Sequence, residues 1–135
     1  MSTFVSQAVR ALAWALVAAI AVQLYLAGAF VFGVLGAEPH RALGGLIFLA
    51  SLLTALVSLA SRATRRTSRG FFGLFGLMLL QLPLVMVRPR FPAVSALHAV
   101  NAMVVLVVAY RMARRAHDVA GARAGAETFV LSPSS

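Results

Sequence analysis

The residues of this chain that could do chemistry are a histidine and side-chain amides within apolar segments. His98 lies in the apolar segment 93–110, and Asn101 follows one helical turn later on the same face. Ionisable groups are costly in the hydrocarbon core, and they usually face a bundle interior, a cofactor or a proton path. An imidazole at such a position can ligate a metal or bind a quinone carbonyl. His98 is therefore the first candidate ligand, with Asn101 beside it.

Two glutamines lie at a similar depth to His98. Gln23, Gln81 and His98 are each 12 or 13 residues from an arginine that marks the same predicted membrane edge. At ~1.5 Å of rise per residue, all three lie roughly 18–20 Å from that edge, and Tyr25 adds a hydroxyl there if it turns inward. Two interpretations stay open. The amides either form interhelical hydrogen bonds worth on the order of 1 kcal/mol each, or they line the polar end of a ligand pocket.

His40 is the second candidate metal ligand. It follows Pro39 at the start of the second apolar segment, and Gly44 lies on the same helical face. Counted from Arg62 with the same rise per residue, His40 lies ~33 Å from that membrane edge, about 13 Å beyond His98. This depth argues against a shared iron and leaves His40 open as a solvated histidine at the interface.

Other side chains complete the predicted site. If His98 binds iron without His40, it does so alone or with a methionine, either Met86 or Met103. Three arginines at the same outer end are suited to haem propionates, because guanidinium groups pair with carboxylates in a bidentate geometry: Arg41, Arg88 and Arg90.

The elements that position these residues are membrane helices. The chain has 135 residues, of which 61% are hydrophobic and 11% charged, and this composition lies outside the soluble range. Four apolar runs, 11–35, 42–60, 70–87 and 93–110, are each able to cross ~30 Å of hydrocarbon. Only helices fit these runs, and the first is longer than the apolar part of a signal peptide. We predict an all-α integral membrane four-helix bundle, up-down-up-down, over residues 1–115.

Arginines predict the orientation of the bundle. Nine of the twelve lie on the side of both termini, four of them in the segment 62–69, which is predicted to be a loop, and three lie on the opposite side. The termini are therefore expected to be cytoplasmic, in a bacterial inner membrane. This pattern accounts for the net charge of +9 better than nucleic-acid binding does. Residues 116–135 are predicted to be a mobile cytoplasmic tail, with residues 128–131 as an alternative docking strand for a partner.

Several kinds of site are excluded by what the sequence lacks. It has no cysteine, so disulfides, thiolate metal sites and covalent haem attachment are ruled out. It contains no phosphate-binding loop, no nucleophile motif and no carboxylate pair. The chain is therefore not expected to be an enzyme on its own, and a proton-coupled transporter is disfavoured because the spans contain no carboxylate.

Three short motifs carry a resemblance. The segments 23–28, 38–44 and 97–102 read QLYLAG, EPHRALG and LHAVNA. They resemble a family of small uncharacterised four-helix membrane proteins of actinobacteria, which has Gln in the first helix, His-Arg-x-x-Gly opening the second and Leu-His-x-x-Asn in the fourth. The resemblance covers about residues 8–116 and implies the four-helix fold. It implies no activity.

Three functional hypotheses follow. The first is a b-type haem protein that transfers electrons near the outer face, with His98 and His40 as candidate ligands. Gln23, Gln81 and Asn101 would tune the iron by hydrogen bonds. The second is an accessory subunit of a larger, respiratory membrane complex, without a cofactor. The third is a pocket for a quinone or a lipid at the polar level.

Overall fold

The fold consists of four long helices and one short helix. The computed structural model describes residues 2–130, with side chains for 3–122. The helices are α1 (Ser2–Val31), α2 (Glu38–Ser58), α3 (Arg62–Met86), α4 (Pro92–Ser95) and α5 (Leu97–Val130). The described residues contain no strand. The all-α prediction is therefore confirmed.

Four segments are long and apolar enough to cross a membrane: Thr3–Val31, Glu38–Ser58, Arg62–Met86 and Pro92–Ala122. Large apolar side chains also cover the outside of the bundle, for example Leu46 at 64% exposure and Leu49 at 62%. An apolar exterior around an apolar interior is typical of helices in lipid. The four predicted runs thus correspond to four helices suited to a bilayer.

Local sequence signals account for most helix ends. Gly33, with φ of +72°, terminates α1, and the Val34 N–H donates to the Ala29 carbonyl at 2.8 Å in a Schellman arrangement. Pro39 lies in the first turn of α2, and Pro92 opens α4.

The Ser61 hydroxyl caps α3 by accepting a hydrogen bond from the Ala63 N–H at 3.2 Å. The basic segment 62–69 is therefore the first two turns of α3, and its prediction as a loop was wrong.

The helices form a four-sided bundle. α1 and α3 each pack against both α2 and α5, and α1 also touches α3 across one diagonal. Two buried clusters each take residues from all four helices. One contains Val9, Ala13, Ala55, Phe71, Met112, Ala113 and Ala116, and the other contains Leu16, Ile20, Ile47, Leu74, Val105 and Ala109. From the first cluster to the second, residue numbers rise along α1 and α3 and fall along α2 and α5. Neighbouring helices are therefore antiparallel.

The last helix extends well beyond the predicted fourth span. α5 continues to Val130, and Ala116 and Ala120 are buried against the bundle. The change of composition at residue 116 therefore does not end the helix, because small alanines still pack on one face. Residues 128–130 of the predicted docking strand have helical backbone, and residue 131 lies outside the described residues.

Candidate functional site

The structure brings both candidate histidines together at one end of the bundle. This end holds the α1–α2 connection and the α3–α4 connection, so His40 lies in the first turn of α2 and His98 in the first turn of α5. The two imidazole centroids are 6.4 Å apart, with the ring planes at 67°. α2 and α5 occupy opposite corners of the bundle, so the two rings meet across its interior.

The predicted 13 Å separation in depth between His40 and His98 was wrong. It assumed that the arginines at the opposite end share one level. A Cβ placed on Gly70 would meet the sulfur of Met112, so these two residues lie side by side. Arg62 precedes Gly70 by eight residues, or about 12 Å of helix. Arg111 is the neighbour of Met112 and therefore lies about 12 Å deeper in the bundle than Arg62. Counting from both arginines as if they shared one level produced the false separation of His40 from His98.

Gln23 of α1 holds His40 through both its side chain and its backbone. The Gln23 Nε2 donates to the His40 carbonyl at 2.8 Å and lies 3.4 Å from the His40 Nε2. The His40 Nδ1 lies 3.4 Å from the Gln23 carbonyl oxygen. Because a carbonyl can only accept, this contact assigns the proton to Nδ1. The Nε2 lone pair of His40 then faces the amide donor, and this tautomer is one of the two with which a histidine can ligate a metal.

Gly44 makes this arrangement possible. A Cβ added at Gly44 would lie 2.9 Å from the Gln23 Nε2, closer than ordinary contacts allow. The group that approaches this glycine is the Gln23 side-chain amide. Further along the same helix, Ser51 and Ala55 are also buried, so small residues line this face of α2.

His98 and Asn101 contact α3. The Asn101 Nδ2 donates to the Leu77 carbonyl at 2.9 Å, and Asn101 is 8% exposed. The backbone of Gln81, one turn beyond Leu77, lies beside the His98 ring. Asn101 therefore joins α5 to α3, and its amide nitrogen is already used by the protein.

Unpaired polar atoms concentrate at this end of the bundle. Among the described side chains, four buried nitrogen or oxygen atoms have no hydrogen-bond partner, and three belong to this site: the Gln23 Oε1, the Gln81 Oε1 and the His98 Nδ1. Buried polar groups are normally paired, so exceptions call for an explanation such as a bound molecule. Their clustering distinguishes the site from ordinary helix packing.

Three other ligand candidates point away from the bundle interior. Met86 is 78% exposed, Met103 56% and Tyr25 68%. The exposed Tyr25 does not meet the condition that its hydroxyl turns inward, and the exposure of both methionines disfavours them as partners of His98. The face that a residue presents depends on the neighbouring helices, which the sequence count did not include.

The arginines of this end are exposed. Arg41 pairs with Glu38 at 3.2 Å, and this surface ion pair is the one salt bridge among the described residues. Arg88 and Arg90 lie in the α3–α4 connection, both exposed and without a carboxylate partner in the described part of the chain. Their guanidinium groups are available to bind an anionic group at this end of the bundle.

The arrangement offers a pair of imidazoles for coordination. No group of three or more His, Cys, Asp or Glu side chains within the described residues is placed to hold a metal. A bare structural or catalytic metal ion usually takes three or four protein ligands, whereas a haem iron takes one or two. The amide oxygens of Gln23 and Gln81 are available as acceptors beside the rings.

Comparisons of the chain with family models, curated proteins and solved structures give no match.

Proposed function

We propose that this protein binds b-type haem between His40 and His98 and transfers electrons within the membrane. The observation that supports this most directly is the 6.4 Å separation of the two rings across the bundle. The two imidazoles come from helices at opposite corners of the bundle, so each could supply one nitrogen ligand to an iron bound between them.

The ligand set favours haem over a bare ion. Two imidazoles suffice for a haem iron because the porphyrin supplies the other four ligands, and haem brings a one-electron redox centre when bound. The Nδ1–H of His40 donates to the Gln23 carbonyl, which fixes the ring. Its Nε2 would bind the iron in exchange for its 3.4 Å contact with the Gln23 amide nitrogen. On the other side, the His98 Nδ1 and the Gln81 Oε1 are both buried without a partner, and a protonated Nδ1 would need an acceptor of this kind.

The proposal includes a membrane orientation. Both termini lie on the cytoplasmic side of a bacterial inner membrane, in an up-down-up-down bundle, because nine of twelve arginines fall on that side. The histidine pair then lies near the outer face. Arg88 and Arg90, exposed beside it, would pair with the haem propionates.

Absorption spectroscopy tests the proposal. The wild-type protein, expressed with added haem and purified in mild detergent, is expected to show a Soret band that shifts on reduction. His40→Ala and His98→Ala each remove one ligand and should lower haem content and change the spectrum. His117→Ala is the matched control, because His117 is an exposed histidine farther along α5. Absence of a Soret band from folded wild-type protein would overturn the proposal, and so would metal bound without porphyrin.

A second candidate is a structural accessory subunit in which the polar side chains serve only to join helices. Two interhelical hydrogen bonds favour it, from the Gln23 Nε2 to the His40 carbonyl at 2.8 Å and from the Asn101 Nδ2 to the Leu77 carbonyl at 2.9 Å. In that case the histidine variants lower stability while no cofactor is present in any variant. Partner subunits would then co-purify with the wild-type protein in mild detergent.

A further inference from the structure

The two glutamine–histidine pairs recur at a constant interval. His98 follows His40 by 98 − 40 = 58 residues, and Gln81 follows Gln23 by 81 − 23 = 58 residues. The residues after the two glutamines agree as well, because both segments read Gln-Leu-x-Leu, at 23–26 and 81–84. The α1–α2 hairpin and the α3–α5 hairpin thus carry the same polar residues in the same register.

Burial follows the same interval. All five buried residues of α2 have buried counterparts 58 positions later in α5. The α2 residues are Ile47, Ser51, Thr54, Ala55 and Ser58, and the counterparts are Val105, Ala109, Met112, Ala113 and Ala116. In the other helix of each hairpin, Leu16 corresponds to Leu74 in the same way, and both are buried.

The packing of the helices agrees with a twofold relation. Exchanging α1 with α3 and α2 with α5 maps the α1–α2 contact onto α3–α5 and the α2–α3 contact onto α5–α1, and all four contacts are present. The α1–α3 contact maps onto itself. The two rings that meet in the interior, His40 and His98, are then equivalent residues on either side of the axis.

We infer that the chain is a tandem repeat of one helical hairpin, about residues 3–60 and 61–118, and that its ligand site lies on the pseudo-twofold axis. Parallel repeats of this kind, related by an axis along the membrane normal, are a known way to build a membrane site at a repeat interface. The haem as ligand rests on the proposed function, whereas the repeat rests on the residues alone.

One substitution between the repeats accounts for the asymmetry of the site. The glutamine amide needs an open position four residues after the histidine, and this position is Gly44 in the first repeat and Ala102 in the second. A Cβ at Gly44 would lie 2.9 Å from the Gln23 Nε2, so by analogy the methyl group of Ala102 keeps Gln81 from the equivalent place. This explains why the Gln23 Nε2 donates to the His40 carbonyl, while no equivalent bond joins the Gln81 Nε2 to the His98 carbonyl among the described residues. The Oε1 atoms of both glutamines are unpaired.

Gly44 and Ala102 are therefore positioning residues with opposite effects. Gly44 lets Gln23 hold His40 in a fixed orientation. Ala102 leaves the His98 side of the pair without the bond from a glutamine amide, although the backbone of Gln81 still lies beside the His98 ring. A ligand on the axis would therefore meet one imidazole with a glutamine amide donor beside it and one without.

Hydrogen exchange of the glutamine side-chain amides tests this inference without haem. In the wild-type protein in detergent, the Gln23 side-chain amide protons should exchange about fivefold more slowly than those of Gln81, which corresponds to ~1 kcal/mol for one interhelical hydrogen bond. Ala102→Gly should slow exchange at Gln81 to the rate of Gln23. Gly44→Ala should accelerate exchange at Gln23, and the double variant should reverse the wild-type order.

Ala102→Gly is the decisive variant, because it removes a methyl group and introduces no clash. If the exchange of Gln81 is unchanged in folded Ala102→Gly protein, the inferred equivalence of the two hairpins is wrong. Gly45→Ala serves as the matched control for Gly44→Ala, since a Cβ there would meet open space. A protein that binds no haem but shows these exchange rates would overturn the proposed function and leave the repeat intact.

Discussion

The hydrogen bond from Asn101 to the Leu77 carbonyl provides a test of how polar side chains stabilise this bundle. Asn101→Leu preserves the size of the side chain and removes the 2.9 Å bond between α5 and α3. The Leu77 carbonyl keeps its helical partner, the N–H of Gln81 four residues later, so no buried acceptor is left unpaired. The free energy of unfolding should then fall by the contribution of one hydrogen bond in a membrane-like environment, roughly 0.6–1.7 kcal/mol.

Reversible unfolding in mixed detergent micelles, followed by circular dichroism, measures this loss. Val100→Ala is the control, because Val100 is the preceding residue of α5 and is 59% exposed. We expect Asn101→Leu to lower the free energy of unfolding by more than the control does. Equal losses in the two variants would contradict the assignment of Asn101 as an interhelical link. A much larger loss would mean that the amide supports more than one contact.

Two further predictions concern packing at the opposite end of the bundle. Gly70→Ala directs a methyl group at the flexible end of Met112 and should lower the free energy of unfolding by about 1 kcal/mol, whereas Gly73→Ala, facing open space, should not. Phe71→Ala leaves a cavity in a buried cluster and should lower the free energy of unfolding by about 3–5 kcal/mol, since Phe71 is 1% exposed. Phe72→Ala is its control at 39% exposure, and the same micelle unfolding assay measures all four variants.

The number of helices and the location of polar residues were predictable from sequence, because long apolar runs and rare polar residues are strong signals in membrane segments. The ends of the helices were less predictable from the sequence. Arg62 to Arg69 were expected in a loop, yet the Ser61 cap starts α3 there. Likewise, α5 continues beyond its apolar run because Ala116 and Ala120 still pack on the bundle.

The geometry of the site depended on helix offsets that composition does not specify. Depth counted from arginines separated His40 from His98, because Arg62 and Arg111 lie at different levels. The faces of Met86, Met103 and Tyr25 required knowledge of the neighbouring helices. One feature of the sequence does indicate that His40 and His98 lie at the same height. The 58-residue interval, applied to both the glutamines and the histidines, places His40 and His98 at equivalent heights without any reference to the arginines.

The haem content of the purified protein is the most direct test of haem binding between His40 and His98. The measurement is the haem-to-protein ratio, with reduced and oxidised spectra, for wild type, His40→Ala, His98→Ala and His117→Ala. We predict about one haem per chain in wild type and in His117→Ala, as expected for one site with two axial histidines, and a marked loss in both other variants. Folded wild-type protein without haem, or haem content unchanged by His40→Ala and His98→Ala, would contradict the account.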